Sequence, residues 1–101
     1  MEITTEQVDK GWLISVVGEV DVHTADELRQ AIVRVEGDGQ TIRINLAGVE
    51  FMDSTGLGVL IGALTRSKEK NSRLVLTQLS ARVERLLALT GMAEQFEISA
   101  R

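Results

Sequence analysis

The stretch Phe51-Met52-Asp53-Ser54-Thr55-Gly56-Leu57-Gly58-Val59-Leu60, with the run Ile42-Arg43-Ile44-Asn45-Leu46 just ahead of it, sets the architecture of this chain. Ile42, Ile44 and Leu46 alternate with Arg43 and Asn45, which predicts a half-exposed strand with one wetter face. Leu57, Leu60, Ile61 and Leu64 recur at helical spacing, and Lys68, Lys70 and Asn71 close that helix with positive charge at the end its dipole prefers. Between strand and helix stand an acid and two hydroxyls beside two glycines, with Phe51-Met52 read as the loop leading in. A helix N-terminus presents unpaired N–H groups and the positive end of a dipole, so it favours anionic groups such as a phosphate. A hydroxyl placed there is either a plain cap, since Asp, Ser and Thr are the preferred capping residues, or the site of a modification switch.

The same alternation of patterns extends both ways. Residues from Ile3 to Val8 read as a short first strand, Asp9-Lys10-Gly11 as a turn with glycine available for positive φ, and Trp12 to Val17 as a buried second strand, together a hairpin. Thr24-Ala25-Asp26-Glu27 fits a capping box ahead of a helix whose apolar face is Ala25, Leu28, Ile32 and Val35, and Gly37-Asp38-Gly39 stops it. Beyond the second helix, Arg73 to Gln78 reads as a strand. Ser80 caps a third helix carrying Val83, Leu86 and Leu87, which Gly91 stops, and Phe96-Glu97-Ile98 is a last short strand. The order ββαβαβαβ predicts an α/β fold: a mixed sheet, partly parallel, with right-handed crossovers and helices mainly on one face. The near-continuous apolar run of the second strand marks it as a buried central strand.

With 101 residues, the chain reads as a single domain over 1–101, and 44% apolar residues suffice for a core. A net charge of −4 with no Lys/Arg-rich block argues against nucleic acid as a partner, because phosphate neutralisation dominates such binding. The absence of cysteine excludes disulfides, thiolate chemistry and Cys-based zinc sites. The first residues carry neither a basic n-region nor an apolar h-region, and no apolar stretch approaches the ~20 residues that span a bilayer. The expectation is a soluble cytoplasmic protein without a membrane partner.

Several motifs compete for attention. Gly56, Gly58 and Gly62 give G-x-G-x-x-x-G, one residue too long for a dinucleotide fingerprint, and no lysine follows as in a P-loop. The plainer account is that Gly56 and Gly58 let a partner backbone or a neighbouring loop approach closely, while Gly62 permits tight helix–sheet packing. His23, the only histidine, would need to sit beside Ser54 or Thr55 with Asp21 or Asp53 orienting it to form a hydrolase triad, but Met52-Asp53-Ser54-Thr55-Gly56 is no G-x-S-x-G elbow. A loop histidine near a helix entry is the better reading. Glu19, Asp21 and Asp53 can be read as acid–base partners or magnesium ligands. Trp12 is read as strand packing, and Phe51-Met52 equally as core or as an apolar partner anchor.

Asp53-Ser54-Thr55-Gly56-Leu57-Gly58-Val59-Leu60, with Gly18-Glu19-Val20-Asp21 upstream and Leu86-Leu87-Ala88-Leu89-Thr90-Gly91 downstream, resembles the signature of bacterial anti-sigma factor antagonists, the stand-alone STAS-domain proteins. The resemblance covers nearly the whole chain. It implies that Ser54, directly after the signature aspartate, is the phosphorylated residue, with Thr55 at the family's second hydroxyl position. It implies a partner-binding surface of Glu19, Asp21, Asp53, Ser54, Thr55, Gly56 and Gly58. The implied partners are an anti-sigma factor that is also a serine kinase, and a serine phosphatase; ATP and magnesium belong to the kinase, and this chain is not an enzyme and needs no cofactor. Family members often carry a further C-terminal helix beyond the last strand read here, and its role is not carried over. A related stand-alone STAS domain serves as an adaptor subunit of lipid-transport ATPase complexes, which predicts stable ATPase binding without phosphorylation. A small nucleotide-binding protein is a third reading, which the missing P-loop opposes.

Overall fold

The computed structural model describes residues 1–99. The chain runs β1 (Glu2–Val8), β2 (Gly11–Val20), α1 (Ala25–Val35), β3 (Thr41–Met52), α2 (Ser54–Glu69), β4 (Arg73–Thr77), α3 (Ala81–Thr90) and β5 (Glu97–Ser99). One five-stranded sheet holds the strands in order β1-β2-β3-β4-β5, with only the β1–β2 hairpin antiparallel. Because the parallel strands advance in one direction, right-handed crossovers carry all three helices to the same face. The core agrees. Leu28 and Ile32 of α1, Leu57 and Leu60 of α2, and Val83 and Leu87 of α3 form one cluster with Ile14, Val16, Ile42, Ile44 and Leu46. Burying side chains of this size contributes roughly 1.5–3 kcal/mol each. Among the described residues no helix is long and apolar enough to cross a membrane.

The uncovered face accounts for one departure from the sequence pattern. Apart from Gly11, the buried residues of β2 are Ile14, Val16 and Val20, while Leu13 and Ser15 are half-buried and Val17 is 48% exposed. A continuous apolar run suits a strand buried on both faces, but helices on one side leave alternate residues of β2 uncovered. The centre of the sheet is β3. The tight turn also differs: positive φ falls on Lys10 (65°), and Gly11 is required for another reason. A Cβ on Gly11 would lie 1.8 Å from the Thr41 carbonyl oxygen, so only glycine allows β2 and β3 to start side by side.

β4 pairs with β3 only from Thr41 to Asn45, whereas β2 follows β3 as far as Met52. A two-stranded ribbon therefore projects past the rest of the sheet, its tip formed by the pair Val20 and Met52. Phe51 and Met52 accordingly belong to β3 and not to a loop, with Met52 buried and Phe51 38% exposed. Their strand character was hidden because the ladder shifts register between Ser15 and Val17 and again between Gly18 and Glu19, which breaks the period-two alternation. Gly62 does not serve helix–sheet packing: a Cβ there would meet only the Arg66 Nη1, at 3.2 Å.

The end of α1 is tied to the last turns of α2 by Glu36. Its carboxylate, only 6% exposed, accepts from Arg66 Nε at 2.9 Å on both oxygens and lies 3.6 Å from Lys70 Nζ. The Arg66 Nη2 beside it is buried without a hydrogen-bond partner among the described residues. Removing the carboxylate charge leaves a partly buried guanidinium still less compensated. Glu36→Gln is expected to destabilise the domain by about 1–3 kcal/mol, read as a fall in urea midpoint at unchanged slope.

Candidate functional site

The site grows out of the ribbon tip. The Asp53 N–H donates to the Val20 carbonyl at 3.3 Å, which brings the start of α2 against the end of β2. Asp53 then leaves the strand in an extended conformation, and its Oδ1 accepts from the N–H groups of Thr55 at 2.9 Å and Gly56 at 3.3 Å. Asp53 is thus the cap of α2 and satisfies two of the donors a helix start leaves open. Ser54 is the first helical residue. Its hydroxyl is exposed and forms no hydrogen bond with the described residues. Thr55 is likewise exposed.

This division of labour separates two neighbouring side chains by role. Asp53→Ala removes the acceptor for two N–H groups and is expected to cost about 0.5–2 kcal/mol, which for a domain this size lowers Tm by several degrees. Ser54→Ala removes a hydroxyl that holds nothing in place and is expected to leave Tm unchanged. Thermal melts of the two variants side by side check both statements.

Gly56 and Gly58 have different surroundings. A Cβ on Gly56 would stand 2.8 Å from both Met52 Cγ and Val20 Cγ1 and 3.2 Å from the Val20 oxygen. Gly56 is buried, so it seats α2 on the ribbon tip and shapes the surface from beneath. Around Gly58 nothing lies within 4 Å of the added carbon, and the residue is exposed one turn beyond Ser54. The close approach anticipated at both positions is met within the protein at Gly56 alone.

The β2–α1 loop supplies the second wall. Asp21 follows Val20 directly, and its Oδ1 accepts from the His23 N–H at 2.9 Å, while its carbonyl accepts from the N–H groups of Thr24 and Ala25. Asp21 is half-buried, and Glu19, paired with Phe51 across the ribbon, is exposed. The capping box expected at Thr24 and Glu27 is absent: the Thr24 hydroxyl makes no cap bond. It turns instead to the strand end, accepting from the Asp21 N–H at 3.0 Å and donating to the Glu19 carbonyl at 2.9 Å. Here an aspartate-led turn outcompetes the side-chain cap, because Asp21 already organises the helix entry through its own oxygens.

Glu19, Asp21, Asp53, Ser54, Thr55 and Gly58 are therefore gathered around one end of the ribbon, with Gly56 beneath them. Among the described residues no three His, Asp or Glu side chains converge as a metal site. His23 stands in the same loop with its side chain exposed. Sequence reading missed Val20, whose carbonyl accepts the Asp53 N–H, and no local signal marks such a backbone acceptor. Val22, in the same loop, is 69% exposed.

The chain as a whole is similar to known proteins. A family model described as STAS domain matches residues 2–101. The chain is 36% identical over 101 residues to the anti-sigma-B factor antagonist of Bacillus subtilis, covering 100% of this chain and 93% of that protein. The crystal structure of an anti-sigma factor antagonist from Mycobacterium paratuberculosis superposes with a TM-score of 0.83 at 31% identity, over 99% of this chain and 86% of that one. The Bacillus cell fate determinant SpoIIAA in its phosphorylated form shares the fold, with a TM-score of 0.74 at 22% identity over 99% of this chain and 93% of its own. The chain belongs to the STAS-domain family and, within it, to the anti-sigma factor antagonists.

Proposed function

We infer that this chain is the antagonist of a partner switch whose state is set at Ser54. Unmodified, it binds an anti-sigma factor and frees the sigma factor; phosphorylated on Ser54 by that anti-sigma factor acting as a serine kinase, it lets go; a serine phosphatase restores it. ATP and magnesium are the kinase's, and this chain is the substrate in the cytoplasm. The observation that carries this reading is the exposed Ser54 hydroxyl at a helix start already capped by Asp53. A serine serving as the cap would be explained by structure alone, whereas this hydroxyl has no structural task. The names of the relatives and the phosphorylated state in which SpoIIAA was solved support the same reading.

Charge explains how the switch works. A phosphate brings roughly −1.5 to −2 charges. The Thr55 and Gly56 N–H groups that would otherwise receive it are engaged by Asp53, and Asp53 and Asp21 add negative charge at the same end of the ribbon. The modified surface therefore presents uncompensated charge to a partner shaped for a neutral hydroxyl, and like charges brought together at an interface cost several kcal/mol. The direct test is a phosphosite map after mixing the protein with ATP, magnesium and the anti-sigma-type kinases of its own organism. A single phosphate on Ser54 with loss of the complex is expected. A stable complex with Ser54 unmodified would refute the switch and favour a constitutive adaptor.

A further inference from the structure

Resting on the reading above, we propose that Thr24 is a positioning residue of the partner surface, fixing the Glu19–Asp21 segment beside Ser54 through its hydroxyl. Three contacts converge on that one oxygen: it accepts from the Asp21 N–H at 3.0 Å, donates to the Glu19 carbonyl at 2.9 Å, and lies 3.3 Å from Asp21 Oδ1. A hydroxyl has a single proton, so the shorter contact to the carbonyl takes it, and the Asp21 carboxylate is steadied by the His23 N–H at 2.9 Å. Thr24 occupies the N-cap position of α1 yet gives the helix no side-chain bond. Its hydroxyl is diverted from a common stabilising role to hold together the last residues of β2 and the loop that follows. That segment is the one fastened to α2, because Val20 lies between Glu19 and Asp21 and its carbonyl accepts the Asp53 N–H. Thr24 thus sets where the Glu19 backbone and the Asp21 carboxylate stand relative to Ser54. Thr24 itself is half-buried.

The test uses Thr24→Val, which keeps the shape and loses the hydroxyl, and Thr24→Ser, which restores it. Affinity for the cognate anti-sigma factor kinase is measured well below the melting temperature, together with amide exchange in the isolated protein. Thr24→Val is expected to bind roughly tenfold more weakly, and its Asp21 amide to exchange at least about tenfold faster while the α1 amides keep their protection. Thr24→Ser is expected to restore both. Ser80→Ala is the control for ordinary stability loss, because Ser80 accepts from the Val83 N–H as a true cap of α3. It is expected to lower Tm without changing affinity. If the wild-type protein binds, Ser54→Asp does not, and Thr24→Val binds like wild type, this inference alone is overturned. If wild type and Ser54→Asp bind alike, the switch reading falls and takes it along.

Discussion

Ser54→Asp is expected to weaken binding to the anti-sigma factor by about 10- to 100-fold while Tm stays within about 4 °C of the wild-type value. The two halves of that result have separate origins. Ser54 is exposed at the first position of α2 and its hydroxyl bonds to nothing described, so replacing it removes no structural contact. A carboxylate in the first turn gains roughly 0.3–1 kcal/mol from the helix dipole, which repulsion from the neighbouring Asp53 offsets. A net change within about 0.5 kcal/mol corresponds to a few degrees in a domain of this size. On the proposed reading the same charge is uncompensated at the interface, and each 1.4 kcal/mol of repulsion is a tenfold loss. A true phosphate carries up to twice the charge of aspartate, so the phosphorylated protein is expected to lose more than about 100-fold. Calorimetric titration and thermal melts measure the two halves independently. A variant that melted early would show that the loss of binding came from the fold.

The second large effect separates two glycines that look alike in the sequence. Gly56→Ala is expected to destabilise the domain by about 1–3 kcal/mol. Its new carbon would lie 2.8 Å from Met52 Cγ and Val20 Cγ1 and 3.2 Å from the Val20 oxygen. Met52 can swing aside, but the β-branched Val20 has few alternative rotamers, and its carbonyl is the acceptor for the Asp53 N–H. The strain therefore falls on the junction that positions the site, which exceeds the roughly 1 kcal/mol a helix gains when alanine replaces glycine. Gly58→Ala meets no obstacle and is expected to stabilise by about 0.5–1 kcal/mol while weakening partner binding, because an exposed glycine in a helix interior costs stability and leaves a smooth surface for an approaching backbone. Urea unfolding and a binding assay on both variants decide this. Opposite signs in stability are the expected outcome, and equal losses would contradict the different roles.

Much of this fold is legible because the local signals agree with one another. The alternation of Ile42, Ile44 and Leu46, the helical face of Leu28, Ile32 and Val35, and the Ser80 and Gly91 caps of α3 each appear in the structure where the pattern places them. Two of the failures are contacts between residues distant in sequence, and a third is a local competition for one hydroxyl. Gly11 looked like a turn glycine, and the reason for it is the Thr41 backbone thirty residues away. Phe51 and Met52 looked like a loop because two register shifts masked the pairing with Glu19 and Val20. Thr24 looked like a helix cap because its spacing to Glu27 is right, yet Asp21 and Glu19 claim its hydroxyl first. At the site, sequence singled out Asp53, Ser54 and Thr55 together. Which of them caps α2 and which is left with a spare hydroxyl depends on side-chain geometry, and the Asp53 carboxylate takes the N–H groups of Thr55 and Gly56.

The most direct test of the switch at Ser54 is a calorimetric titration of the cognate anti-sigma factor kinase with the unmodified protein and with the protein phosphorylated stoichiometrically on Ser54. Tight binding by the first, a loss of more than about 100-fold by the second, and nearly equal melting temperatures are the predicted result. Equal affinity of the two forms would contradict the account.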